Sequence, residues 1–155
     1  MDYTRHGKLG PNPSKYRHAV SIAHGKGYYQ ERGKSWDTSR YYDNAVYVVT
    51  AGPNVADCSR KGRTSSMRRT CDPDALVRRY FVDAIVFALV AMLDEMIACD
   101  VRVAIVPGLS TGLYSGPHRE YINSPGVFIR LIDMALKHGG VDRRKKFDEV
   151  WYAHY

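Results

Sequence analysis

One stretch of the sequence, Val101 to Gly116, constrains the fold of this chain more than any other. It opens with a short apolar run rich in β-branched residues, Val101 to Val106, which predicts a buried strand. Pro107 and Gly108 end that strand, and a loop of small and hydroxyl residues follows before a new helical pattern begins. In an α/β fold, ligands bind at the loop that leaves the carboxyl end of such a strand.

The loop from Gly108 to Ser115 has the composition of an anion-binding loop. Its small residues let backbone N–H groups approach a phosphate closely. Three side chains (Ser110, Thr111 and Ser115) add hydroxyl donors, and Tyr114 offers a ring face for a sugar or a base. We therefore expect this loop to hold a phosphate or a nucleotide, although glycine-rich loops after strands are common and the pattern is not specific by itself.

The segments around this loop predict an alternating order of strands and helices. Ala45–Ala51 is a continuous apolar run, which is typical of a parallel central strand buried on both faces. Asp72 and Pro73 open a long helix with a wide apolar face. A second helix is predicted to begin at Ser124–Pro125, with Ser124 as its cap, and to end in a left-handed cap at Gly139–Gly140. With a last strand over Phe147–Ala153, this order predicts a sheet covered by helices.

The amino-terminal part of the chain predicts a second glycine-bearing loop. Residues 1–17 are expected to form an irregular arm, and His18–Ala23 a short strand. The loop over His24–Gly33 would then bring Gly25, Lys26 and Gly27 to a ligand, with Lys26 neutralising a phosphate. The alternative interpretation is a solvated turn with a surface lysine.

The net charge and the cysteine content indicate which partners and which cellular compartment to expect. The formal net charge of +7 favours anionic partners. Five basic residues and no acidic one lie between Ser59 and Thr70, which predicts a phosphate-contacting arm or simply a solvated loop: Arg60, Lys61, Arg63, Arg68 and Arg69. The cysteines Cys58, Cys71 and Cys99 lack metal-ligand spacing, so we expect reduced thiols in an intracellular protein of the cytoplasm or nucleus.

Two segments resemble a known family, the macro domains, and especially the viral ones. Ile105–Gly116 (IVPGLSTGLYSG) resembles their second ligand loop, and Tyr47–Asn54 (YVVTAGPN) resembles their strand and turn of the form VIHAVGPN. The order of elements from Ala45 to Ala153 agrees as well, so the resemblance covers about two thirds of the chain. It implies one domain over residues 1–155 with a three-layer α/β/α fold and a mixed, mainly parallel central sheet.

The resemblance also implies a ligand, ADP-ribose, held above the sheet. Carried over residue by residue, the second loop would wrap the diphosphate and distal ribose with backbone N–H groups of Ser110, Thr111, Gly112, Leu113 and Tyr114. Some family members hydrolyse ADP-ribose from proteins, using a water placed between a first-loop asparagine and the phosphates. This chain departs from that pattern: it has no Asn-Ala-Ala-Asn motif, no aspartate in place to bind the adenine amino group, and a shortened amino terminus.

These observations lead to one prediction and one alternative. The chain binds ADP-ribose, free or on a modified protein, or a related nucleotide, and its mono-ADP-ribosyl hydrolase activity is weak or absent. The expected catalytic residues are His24, standing in for the missing asparagines as a general base, and Tyr114, fixing the distal ribose. The alternative is a module that binds RNA or another nucleic acid through the basic loop and the same crest above the sheet, with aromatic residues near basic groups stacking on single strands. Neither prediction includes a cofactor, a metal ion or a membrane partner.

Overall fold

The computed structural model describes residues 21–29, 37–56, 58 and 73–153, with the backbone alone for 21–29 and 37–44. Its strands and helices are β1 (Ser21–Tyr29), β2 (Asp37–Val49), α1 (Arg78–Ala98), β3 (Val103–Pro107), α2 (Arg119–Ile122), α3 (Val127–Leu136) and β4 (Glu149–Ala153). Short 3-10 segments cover Pro73–Leu76, Leu113–His118, His138–Gly140 and Arg143–Lys146. The predicted order of helix, strand, loop, helix and final strand is therefore confirmed.

The strands form two pairs of opposite character. β1 and β2 run antiparallel, from the pair Ser21 and Val49 to the pair Tyr29 and Asp37. β3 and β4 run parallel, with Ile105 opposite Trp151. In the part of the chain that the structure describes, these pairs are separate two-stranded sheets. The molecule is thus a mixed α/β protein with a small parallel sheet, which agrees with the predicted α/β class.

The strand after residue 44 differs from its prediction. β2 pairs antiparallel with β1 rather than in parallel, and the side chains of Tyr47 and Val49 are 45% and 64% exposed. β3 likewise buries only Ala104 and Val106 and leaves Ile105 exposed. The prediction that Ala45–Ala51 is buried on both faces is wrong, and the predicted buried strand over Val101–Val106 is buried on one face only, because an apolar run indicates a strand but not how many of its faces are covered.

Helix α1 is the centre of the hydrophobic core. Every residue from Ala84 to Leu93 is buried, so the helix is covered on all sides over these residues rather than along one face. It contacts β2 and α3 directly. The helix begins at Arg78, after the 3-10 segment that starts at Pro73, and no side chain caps it. The predicted cap, Asp72, lies outside the described residues.

Helix α3 begins two residues later than the predicted start. The Ser124 hydroxyl donates to the carbonyl oxygen of Glu120 at 2.8 Å, so it does not cap the helix. Gly126 occupies the cap position with a φ of 77°, a left-handed conformation that glycine adopts at little cost. Gly139 and Gly140 also take positive φ values just beyond the helix end, as predicted.

One charged side chain belongs to the core. Arg143 is 1% exposed; its Nε and Nη2 atoms donate to the two carboxylate oxygens of Asp94 on α1, at 2.6 and 3.2 Å. Its Nη1 atom donates to the carbonyl oxygen of His138 at 2.8 Å. This arginine therefore joins the segment after α3 to α1. The sequence alone does not reveal this contact, because the partner carboxylate lies 49 residues away.

Two further findings concern the cysteines and the membrane. Cys58 is disulfide-bonded, whereas Cys99 is free, so the prediction of reduced thiols is wrong for Cys58 and confirmed for Cys99. Cys71 lies outside the described residues. None of the helices in the described ranges has the length and apolarity that crossing a bilayer requires.

Candidate anion-binding site

A shallow groove of about 270 Å³ lies at the carboxyl end of β3. The residues that line it are Gly108, Ser110, Thr111, Gly112, Leu113 and Tyr114. All six belong to the loop that the sequence predicted as a ligand site. Ser115, also predicted to contact the ligand, is completely buried and does not line the groove. We call residues 108–116 the groove loop.

The groove loop is held by the turn that follows β2, residues 50–56, which we call the β2 turn. The Ser110 hydroxyl donates to the carbonyl oxygen of Pro53 at 2.8 Å, and the Val55 N–H donates to the carbonyl oxygen of Tyr114 at 2.9 Å. Both Pro53 and Val55 are buried. The two segments that carry the family resemblance thus lie against each other, although the sequence separates them widely.

Close backbone approach explains two glycines at this contact. Gly116 has a φ of 50°, and a Cβ atom there would lie 2.9 Å from the carbonyl oxygen of Val55. A side chain on Gly52 would collide with the Ser110 hydroxyl. Ser110 itself has a φ of 52°, a conformation that costs energy in a residue other than glycine. The bond from Ser110 to Pro53 compensates for part of that cost.

Backbone N–H groups of the groove loop are potential donors to a ligand. Among the described residues, the N–H groups of residues 110 to 114 donate no backbone hydrogen bond. The hydroxyls are already engaged: Ser110 donates to Pro53, Ser115 to the Gly112 carbonyl oxygen at 2.5 Å, and Thr111 to the Gly108 carbonyl oxygen at 3.4 Å. The predicted role of serine hydroxyls as ligand donors is therefore wrong for Ser110 and Ser115.

Side chains at the rim of the groove are exposed and apolar or aromatic. Leu113 is 83% exposed and Tyr114 is 54% exposed, so the tyrosine ring is accessible to a ligand as the sequence predicted. Asn123, which sequence analysis did not single out, donates from Nδ2 to the Thr111 carbonyl oxygen at 3.0 Å. That bond attaches the groove loop to the residue that follows α2.

The segment predicted to form the first loop is a strand in the part that the structure describes. His24, Gly25, Lys26 and Gly27 all lie within β1, where the pairing with β2 shifts register between Gly25 and Gly27. The glycines that suggested a turn are accommodated in this strand irregularity. Residues 30–33 of the predicted loop lie outside the described residues.

Antiparallel pairing also separates these residues from the groove loop. The β2 turn follows Val49, whereas His24 pairs with Val46 and Gly27 with Tyr42. At about 3.3 Å per residue, His24 lies roughly 10 Å and Gly27 roughly 23 Å back along β2 from that end. His24 and Gly27 therefore lie inside the antiparallel pair, back from the end of β2 that leads into the β2 turn.

His118, two residues after the groove loop, is a core residue. His118 is 5% exposed, its Nε2 atom lies 2.9 Å from the carbonyl oxygen of Ala75, and its ring packs on Phe81 at 4.6 Å. A search of the described ranges finds no cluster of three or more side chains able to hold a metal ion. The basic residues between 59 and 70 lie outside those ranges.

Comparison of the chain with protein-family models, with curated proteins and with solved structures finds no match.

Proposed function

We propose that the groove loop binds the diphosphate of ADP-ribose or of a related nucleotide. The observation that carries the proposal is that five consecutive residues of the open groove, 110 to 114, have N–H groups that donate no backbone bond within the described part of the chain. Donors fixed before the ligand arrives stabilise an anion without the cost of reorganising the loop.

The shape of the loop supports this proposal. The bonds from Ser110 to Pro53 and from Val55 to Tyr114, together with the close approach of Gly116, hold the loop by several independent contacts. Gly112 has no neighbouring atom within 4 Å of a would-be Cβ, so its face of the loop is open to a ligand. The exposed ring of Tyr114 is placed to pack against a ribose or a base.

The resemblance of Ile105–Gly116 and Tyr47–Asn54 to macro-domain segments supports ADP-ribose as the ligand. The contact between these segments, described above, is consistent with a shared site. We extend the proposal to the fold: the small parallel sheet and its helices would form part of a three-layer, macro-domain-like α/β/α domain. A modified protein carrying ADP-ribose is the partner that this function implies.

Hydrolysis of ADP-ribose from proteins is proposed to be weak or absent. Among the described residues that line the groove, none carries a carboxylate or an imidazole, the usual general bases of hydrolases. His24, the predicted substitute, lies within β1 rather than in a loop, and this proposal assigns it no role.

Calorimetric titration with ADP-ribose tests the binding proposal. We expect saturable one-to-one binding that changes little between about 50 and 200 mM salt, because a ligand held by backbone N–H groups releases few condensed counterions. ADP should compete for the same site, and ribose alone should not. An absence of heat and of competition at millimolar ligand would overturn the proposal.

The alternative function, RNA binding, is favoured by the net charge of +7. It would use the five basic residues between Ser59 and Thr70, and its affinity would fall steeply with salt. Replacing these five residues with serine should flatten the salt slope by roughly 0.7 per lost phosphate contact. A parent protein that does not bind single-stranded RNA, or a variant with the parent's slope, excludes this function.

A further inference from the structure

We propose that Asn123 is a positioning residue of the groove loop: its side chain fixes the peptide between Thr111 and Gly112 so that the Gly112 N–H group can donate to a bound diphosphate. This inference rests on the proposed function and gives a role to a residue outside the groove lining. The Asn123 Nδ2 atom donates to the Thr111 carbonyl oxygen at 3.0 Å. A carbonyl oxygen accepts but cannot donate, so the amide nitrogen of Asn123 is the atom that makes this contact.

This contact sets the direction of an N–H group, because the C=O and N–H groups of one trans peptide lie in a plane and point to opposite sides. The Thr111 carbonyl group points to Asn123, so the Gly112 N–H group points away from Asn123. The next peptide is held in the same way, since the Gly112 carbonyl oxygen accepts from the Ser115 hydroxyl at 2.5 Å and from the Ser115 N–H at 3.3 Å. Ser115 is completely buried, so the Leu113 N–H group points away from the buried side of the loop.

The peptide between Thr111 and Gly112 is the one that most needs such a bond. Glycine has no Cβ, so Gly112 resists rotation of this peptide less than another residue would. Space does not prevent the rotation either, because no atom lies within 4 Å of a would-be Cβ on Gly112. A reversed peptide would withdraw the N–H donor and turn the Thr111 carbonyl oxygen, the negative end of the peptide dipole, toward the side from which the Gly112 N–H donates. The bond from Asn123 opposes that reversal.

Asn123 is itself held in place by α2. Its backbone N–H donates to the carbonyl oxygen of Arg119 at 3.1 Å, and the preceding residue, Ile122, is 1% exposed and belongs to the hydrophobic core. The packing of α2 therefore determines where the Asn123 side chain lies. A site whose binding-competent arrangement is only partly populated binds its ligand more weakly in proportion to that fraction. Loss of the bond should thus weaken binding even though Asn123 does not touch the ligand.

The test combines NMR of the ligand-free protein with calorimetric titration of ADP-ribose. Relaxation dispersion detects exchange between two peptide arrangements on the microsecond-to-millisecond timescale. The nuclear Overhauser effect between the Gly112 amide proton and the Thr111 Hα atom reports which way the peptide points. The parent is compared with Asn123→Leu, which keeps the size of the side chain and removes the donor. Ser124→Ala is the matched control, because the neighbouring Ser124 hydroxyl also donates to a carbonyl oxygen but to that of Glu120, outside the groove loop.

We expect Asn123→Leu to show new exchange at Gly112, or a reversed Overhauser pattern, with the thermal midpoint of the parent. Its binding of ADP-ribose should weaken roughly 2- to 10-fold, up to the factor that one hydrogen bond of this kind contributes. Ser124→Ala should match the parent in the NMR measurements and in affinity.

Three results would overturn the positioning role of Asn123. A folded Asn123→Leu variant with the parent's peptide arrangement and affinity would show that the bond is dispensable. Weaker binding with an unchanged peptide would mean that Asn123 contacts the ligand directly, and a changed peptide with unchanged affinity would mean that its orientation does not matter for binding. If the parent does not bind ADP-ribose, the proposed function fails, and the NMR data alone still decide whether Asn123 holds the peptide.

Discussion

The hydroxyl group of Ser110 donates a 2.8 Å hydrogen bond to the carbonyl oxygen of Pro53, a residue 57 positions earlier in the chain. Ser110 maintains a left-handed backbone at this point, with a φ of 52°. The bond joins the groove loop to the β2 turn. The strained residue of the groove loop is therefore held by a buried residue of the β2 turn.

We predict that Ser110→Ala destabilises the protein by about 1–2 kcal/mol, because it removes the bond to Pro53 and keeps the unfavourable φ. Ser110→Gly loses the same bond but tolerates the positive φ, so it should cost less. Chemical denaturation measures both. Ser124→Ala is the matched control, since its hydroxyl also donates to a carbonyl oxygen at 2.8 Å but in an exposed, local bond. Equal losses for Ser110→Ala and Ser124→Ala would contradict the prediction.

We predict that Gly112→Glu abolishes ADP-ribose binding and leaves the fold intact. Gly112 has a φ of −99°, and no atom lies within 4 Å of a would-be Cβ, so a side chain fits but places a carboxylate beside the diphosphate. Gly112→Ala is the control. Its dissociation constant for ADP-ribose should lie within about threefold of the parent's, which is less than the tenfold change that corresponds to 1.4 kcal/mol. The thermal midpoint measures whether each variant is folded, and calorimetry measures its binding of ADP-ribose. Parent-like binding by folded Gly112→Glu would show that the ligand lies elsewhere.

The buried ion pair of Arg143 and Asp94 leads to a prediction about stability. Arg143→Met should cost about 3–5 kcal/mol, because it leaves the Asp94 carboxylate with its main partner removed inside the protein. Adding Asp94→Leu should recover part of that loss. The exposed pair of Arg102 and Asp148, also bidentate at 3.1 and 2.6 Å, is the control, and Arg102→Met should cost far less, because water screens an exposed ion pair. Similar losses for both arginines would contradict the assigned role of Arg143.

Asp83 on α1 gives a prediction about pH. Burial raises the pKa of the Asp83 carboxyl, and the charge of Arg79 lowers it to a smaller extent. The folded protein therefore binds this proton more tightly than the unfolded chain, so the charged form opposes folding above the folded pKa. The penalty falls as pH decreases through that pKa and is gone below the ordinary value of 3.8.

Asp83→Asn should accordingly raise the thermal midpoint at pH 7 by about 2 °C, which corresponds to roughly 0.5 kcal/mol after solvent screening. The advantage should shrink with acidification and vanish below about pH 4. Calorimetric melting from pH 3.5 to 8 measures it, with Glu120→Gln on the exposed helix α2 as the control. A gain that is the same at all pH values would mean that it does not come from ionisation.

The sequence predicted the carboxyl-terminal half of the fold better than the amino-terminal half. Between Arg78 and Ala153, the helical periodicity, the β-branched runs and Gly108 each specify structure within a short segment. The order of elements and the position of the groove loop could therefore be predicted from the sequence. The start of α3 was misplaced by two residues because Ser124 found a different acceptor, the carbonyl oxygen of Glu120.

Strand direction and long-range contacts do not follow from local patterns. The run from Ala45 to Ala51 indicated a strand, but only its pairing with Ser21–Tyr29 makes it antiparallel. Gly25 and Gly27 indicated a loop, although pairing across a register shift accommodates them in β1. The engagement of the Ser110 hydroxyl by Pro53 and the burial of Arg143 against Asp94 likewise depend on partners about 50 residues distant.

The burial of α1 on all sides limits how this protein can be shortened. A helix with no polar face from Ala84 to Leu93 has no surface suited to water. A fragment that lacks either β2 or α3 would expose part of that apolar surface and would associate with other copies rather than remain dispersed. Attempts to isolate the groove loop as a minimal binding peptide or half-domain should therefore yield aggregates. Studies of the site require a chain that includes both β2 and α3, the elements that cover α1.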